Sequence, residues 1–97
     1  MNSYKELNAW QKSIDLVKQV YAITKAFLKE ERYAFTDQIN RAVVSIPSNI
    51  AEGNGRNSTK DYIHFLNISR GSLYEVNTQM YIANQLGYIS GHLMLIA

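Results

Sequence analysis

Ninety-seven residues with 46% hydrophobic and 19% charged content, one proline and no cysteine describe one small folded domain, burying roughly 60–70% of the surface its unfolded chain exposes. Disorder, disulfides and thiolate metal sites are excluded. The net charge of +2, ten basic against eight acidic residues interspersed along the chain, is too weak by itself to announce a polyanion binder, and so few charges on so apolar a chain predict that part of the surface meets another chain.

The N-terminal stretch MNSYKELNAW has no apolar signal core, and no run approaches the ~18–20 apolar residues that span a bilayer. The expected location is the cytoplasm, with no membrane partner. From Leu7 the residues Leu7, Trp10, Ile14, Val17, Tyr21 and Leu28 follow heptad spacing, with Thr24 in the one polar slot, and Leu16, Val20, Ile23 and Phe27 form a parallel seam. This predicts a long amphipathic helix over about residues 8–29, with an apolar face wider than a simple coiled-coil stripe and neighbours on two sides. Asn8 is the expected N-cap, and Lys25 and Lys29 suit the C-terminal end of the helix dipole.

A second helix is expected over about residues 36–52, capped by Thr36, with Asp37 in the first turn and able to pair with Arg41 one turn on. Ile39, Val43, Ile46 and Ile50 recur at helical steps and mark its core face. Gln38, Arg41, Ser45, Ser48 and Glu52 form a second, polar seam, read either as a nucleic-acid surface or as a polar interface between subunits. The interface is favoured, because a polar group on a packing face persists only when hydrogen-bonded. Arg41 and Glu52 are expected to share such a network. Pro47 has no N–H for the Val43 carbonyl, so a kink or restart is expected there. Gly53 and Gly55 offer positive φ for the turn that follows.

Ser58-Thr59-Lys60-Asp61 reads as a capping box and opens a third helix over about residues 59–86. Its core seam is Tyr62, Leu66, Ser69, Leu73, Val76, Met80 and Ala83. A second seam, Arg70, Tyr74, Asn77, Tyr81, Asn84 and Tyr88, alternates tyrosines with polar groups; the tyrosines either stack bases or, as we favour, bridge subunits with rings buried and hydroxyls wet. Gly87 ends the helix. Ser90 is placed to cap a short fourth helix over residues 91–97.

The motif SIPSNIAEGNGR, with QINRA before it and STKDYIHFL after it, resembles the signature of a four-helix-bundle family that includes the intervening-sequence proteins encoded within large-subunit ribosomal RNA genes. The resemblance runs from Trp10-Gln11-Lys12 to Leu86-Gly87-Tyr88-Ile89 and extends to the accessory variability determinant of diversity-generating retroelements. It implies an all-α, antiparallel up-down bundle assembled as a homopentameric barrel, and it implies nucleic-acid binding. This chain departs from the family in carrying Leu28 where a proline is usual, and in the shortness of its fourth helix.

Two functions follow as expectations. In the first, a non-enzymatic homopentamer binds RNA or DNA phosphates without strong sequence specificity, through Lys12, Lys18, Arg41, Arg56, Lys60 and Arg70; a monomer of +2 becomes about +10 in a pentamer, which strengthens a weak patch. In the second, the same ring is a scaffold for a protein partner. The subunit interface is expected to use Gln38, Arg41, Ser45, Glu52, Tyr74, Tyr81 and Tyr88. The loop Gly53-Asn54-Gly55-Arg56 runs into a helix N-terminus and reads as a phosphate site or, preferred, as a tight interhelical turn. No cofactor, metal or catalytic residue is expected: Asp61 and His64 lack a third ligand at motif spacing, and Ser45 and Ser48 lack the setting of a nucleophile elbow. Their hydroxyls are expected to bond the backbone around Pro47.

Overall fold

The computed structural model describes residues 3–27 and 33–88. It contains a 3₁₀ turn, Tyr4–Glu6, and three α-helices, α1 Asn8–Thr24, α2 Tyr33–Asn54 and α3 Thr59–Gln85, with no strand among the described residues. Residues 91–97, where the short fourth helix was expected, lie outside them, as do Leu28 and Lys29. No described helix is long and apolar enough to cross a membrane.

Helix α2 is the element on which the others are laid. The antiparallel run of α3 along it follows from the Ser45 and Ser72 hydroxyls, hydrogen-bonded at 2.5 Å, and from Ser69 Oγ donating to the Ile46 carbonyl at 2.9 Å. On the other side Thr24 Oγ1 donates to Asn40 Oδ1 at 3.1 Å, which ties the end of α1 to the first half of α2. The backbones of α1 and α3 approach α2 but not each other. Ile39, Val43, Ile46 and Ile50 of α2 meet Val20 of α1 and Val76, Met80 and Ala83 of α3 in one core. Each fully buried Val or Ile side chain contributes about 1.5–3 kcal/mol relative to leaving it in water.

Helix α1 ends at Thr24, with Lys25 as C-cap, short of the expected residue 29. Its buried line is Ser13, Val20 and Thr24, which runs along the boundary of the two seams read from the sequence and takes Thr24 from one and Val20 from the other, so that Trp10 and Val17 flank it on one side and Leu16, Ile23 and Phe27 on the other, all half-buried. Asn8 does not cap. It is the first helical residue, the cap is Leu7 without a side-chain bond, and the first turn is braced instead by Tyr4 edge-on to Trp10 at 5.5 Å.

Helix α2 already holds Tyr33, so Thr36 lies inside it rather than capping it. It continues through Pro47, which is buried. Side chains serve the backbone around the proline: Ser48 Oγ donates to the Val44 carbonyl at 2.9 Å, Asn49 Nδ2 to the Ser45 carbonyl at 2.8 Å and Ser45 Oγ to the Ala42 carbonyl at 2.7 Å. The expected positive φ at Gly53 and Gly55 is absent. Gly53 is a buried helical residue, and its lack of a side chain is used differently: a Cβ there would stand 2.8 Å from Phe65 Cβ and 3.0 Å from Tyr62 Cδ1. The glycine lets α3 begin directly against the end of α2.

Helix α3 opens on Ser58, whose hydroxyl accepts from the Asp61 N–H at 3.1 Å. It closes in a Schellman turn: the Tyr88 N–H reaches the Ala83 carbonyl at 2.9 Å and the Gly87 N–H the Asn84 carbonyl at 3.1 Å, with Gly87 at φ +80°. A Cβ at Gly87 would meet nothing within 4 Å, so the cost of Gly87→Ala is conformational alone. It is expected to destabilise by about 1–2 kcal/mol, read from the urea midpoint; an unchanged midpoint would show that the turn contributes nothing.

Candidate nucleic-acid and subunit interfaces

All six cationic residues singled out from the sequence are exposed, but they form no single patch. Lys12 of α1 and Arg70 of α3 stand on opposite walls of one groove. Arg56 and Lys60 sit by the α2–α3 turn, Arg41 on α2, and Lys18 further along α1. Two of the six, Arg41 and Arg56, are ion-paired among the described residues. Arg41 Nε pairs with Asp37 Oδ2 at 3.0 Å. Arg56 Nη2 pairs with Glu52, and its guanidinium lies 4.9 Å from the Phe65 ring centroid. Among the described residues, Lys12, Lys18, Lys60 and Arg70 make no ion pair.

Within the subunit Arg41 and Glu52, expected in one network inside or between subunits, are therefore held apart in separate i, i+4 pairs. Four residues is one helical turn, and the eleven between them are three, so each reaches its near neighbour first. With side-chain exposures of 81% and 52%, the Arg41–Asp37 pair is worth at most ~0.5 kcal/mol. Arg41→Ala is expected to shift the melting of the isolated subunit by no more than that; a loss above ~1 kcal/mol would place Arg41 in a network inside the subunit after all.

The groove between α1 and α3 has a volume of about 650 Å³. Ile46 and Ile50 of α2 line it, with Leu16 from α1 and Leu66 and Leu73 from α3. Lys12, Asp15 and Arg70 give it a charged edge. It exists because α1 and α3 each pack on α2 without closing on one another. Arg70 is oriented by Tyr74, whose ring centroid lies 5.6 Å from the guanidinium carbon and whose phenol oxygen accepts a long hydrogen bond, 3.4 Å, from Nε. That hydrogen bond, with Coulombic attraction to the same phenol, raises the Arg70 pKa above its ordinary value.

The interface candidates also separate. Tyr74 and Tyr81 are 52% and 56% exposed, free to meet a partner. Tyr88 packs edge-on against Phe27 and Phe35, at 5.6 and 6.0 Å between centroids, and closes the end of the bundle within its own subunit. Ser45 is half-buried and bonded to Ser72 between α2 and α3. Gln38 is exposed, and with Tyr74 it lines a shallow depression of about 470 Å³ between α2 and α3. Two seams drawn independently on different helices thus meet at one place.

The sequence reading missed the packing role of Gly53, although the spacing held a signal: position 53 continues the apolar run 39, 43, 46, 50 at the next helical step. The loop after α2 is a backbone-bonded turn, with the Gly55 N–H on the Ala51 and Glu52 carbonyls and the Arg56 N–H on the Gly53 carbonyl. Asp61 and His64 are exposed, His64 lies edge-on to Phe65, and no three metal-ligating side chains converge among the described residues. His92 lies outside those residues.

No curated protein matches the chain. A family model described as 23S rRNA-intervening sequence protein matches residues 5–94, which takes in the whole three-helix frame, the Pro47 helix and the capped start of α3, so the chain belongs to the 23S rRNA-intervening sequence protein family.

Proposed function

We propose that the protein is a non-enzymatic, homo-oligomeric module, a pentamer by resemblance, that holds RNA or DNA through phosphate contacts without strong sequence specificity. The observation that carries this reading is the set of unpaired exposed cations, Lys12, Lys18, Lys60 and Arg70, two of which face one another across the α1–α3 groove. Unpaired cations cost no carboxylate partner when they meet a phosphate, and their counterion release makes binding salt-dependent. One subunit of +2 holds too little charge for tight binding, and repetition around an assembly supplies the remainder. The family's description names an intervening sequence of 23S rRNA, which is compatible with a nucleic-acid partner.

Fluorescence anisotropy of a labelled RNA and a DNA oligonucleotide, titrated at several salt concentrations, tests it. The affinity is expected to fall linearly on a log–log plot, and Lys12→Ala and Arg70→Ala are each expected to lower that slope by about 1. Binding that does not weaken with salt would overturn the reading. A scaffold for a protein partner is the second reading, favoured by the apolar lining of the same groove, Leu16, Ile46, Ile50, Leu66 and Leu73. There, neither oligonucleotide binds at low salt.

A further inference from the structure

We propose that the depression around Gly71, between α2 and α3, is the surface on which a second copy of this chain docks, with the Arg41 guanidinium of one copy answering Glu75 and Gln79 of the other. The inference rests on the homo-oligomeric part of the reading above and names the surface and the groups that make it.

Three observations converge there. A glycine in the middle of a helix costs about 1 kcal/mol relative to alanine, and nothing inside the subunit requires it: a Cβ at Gly71 would meet no atom within 4 Å. Gly53, by contrast, is filled by its own fold. A missing side chain at an open position leaves room for a close approach from outside. Second, Gln79 is only 7% exposed, and while its Nε2 donates to Glu75 Oε2 at 3.2 Å, its Oε1 is buried with no hydrogen-bond donor. A buried amide oxygen without a donor is unfavourable by about 1–3 kcal/mol, so the subunit alone leaves a group that wants an N–H. Third, Gln79 and Glu75 line the same depression as Gly71, with Phe35, Gln38 and Tyr74, and no lysine or arginine is among its lining residues.

The donor lies on the same chain. Arg41 uses Nε for Asp37, and both terminal nitrogens of its exposed guanidinium have no partner among the described residues. It lines the neighbouring depression with Ser45, Ser48 and Asn49. Because Ser45 stands opposite Ser72 in antiparallel helices, one turn back along α2 and one turn forward along α3 bring Arg41 and Glu75 to the same height. One surface therefore carries both the unmet acceptors and the unmet donors. A chain that carries both can present its donors to the acceptors of the next copy, head to tail around a ring, and this favours a second copy over an unrelated partner. Exposed Ile82 at the edge of the depression and Ile68 one turn before Ser72 supply apolar area around the charged centre.

Sedimentation velocity over a concentration series tests it, on the natural chain, Gly71→Gln, Arg41→Glu, Glu75→Arg and the double variant Arg41→Glu/Glu75→Arg, each checked for helix content and melting temperature. Gly71→Gln improves helix propensity, so a folding defect does not confuse its result. We expect the natural chain to assemble, Gly71→Gln and each single charge reversal to weaken assembly by about tenfold or more, and the double reversal to recover much of it. A natural chain that stays monomeric at every concentration removes the oligomeric reading, and this surface with it. A natural chain that assembles while Gly71→Gln and the charge reversals assemble equally well leaves oligomerisation standing and overturns this surface.

Discussion

Ile39→Ala is expected to lower stability by about 2–5 kcal/mol. Ile39 is fully buried and among the largest such side chains in the molecule. Its neighbours in the core come from all three helices, so truncation leaves a cavity that no single helix can fill by shifting. In a domain of this size each kcal/mol corresponds to roughly 4–8 °C. A circular-dichroism melt at fixed protein concentration should show a fall of roughly 10 °C or more, and fixed concentration matters because assembly stabilises the folded state by mass action. A fall of only one or two degrees would mean that the core collapses around the gap, and that the three-helix frame is looser than its packing indicates.

Gly53→Ala is expected to cost about 1–3 kcal/mol, opposite in sign to the usual effect of the same replacement. At an open helical position alanine stabilises relative to glycine by about 1 kcal/mol. At position 53 the new methyl would lie 2.8 Å from Phe65 Cβ and 3.3 Å from the Tyr62 carbonyl. Neither is the free end of a flexible side chain, so the start of α3 has to move away from α2. That movement also disturbs Arg56, which spans Glu52 and the Phe65 ring. Urea unfolding monitored by tyrosine and tryptophan fluorescence reads the effect; a stability gain would show that the close approach of the two helices is not rigid.

The contrast between the glycines shows why part of the fold is legible in the sequence. Gly87 announces its role because a helix terminator followed by an apolar residue is a local pattern, and a Schellman turn is made from six consecutive residues. Ser58 likewise caps a donor three positions away. The role of Gly53 depends on Phe65 and Tyr62, which sit across a turn on another helix. A local reading therefore assigns it the commonest use of glycine, a positive φ, and misses the contact.

The same reason separates the predictions about charge. Asp37 and Arg41 are neighbours by helical geometry alone, and their pair forms. A link between Arg41 and Glu52 inside one subunit needed the helix to bring together groups three turns apart, and local pairing with Asp37 and Arg56 comes first. Tyr88 continues a heptad-like spacing on paper, yet the chain turns at Gly87 before reaching it. Its ring consequently swings onto Phe27 and Phe35 at the end of the bundle.

Residue order alone determined that this protein is helical, where the core faces of α2 and α3 run, how α3 starts and stops, and the family to which it belongs, because each of these depends on groups within about two turns of one another. Only the tertiary structure decided that α1 turns the boundary of its two seams inward, that α1 and α3 leave a groove instead of meeting, that the six cations form no single patch, and that Gly53 and Gly71 do opposite work. Those outcomes depend on the rotation and spacing of one helix against another, which are fixed by the volumes of side chains far apart in the chain and by no local period.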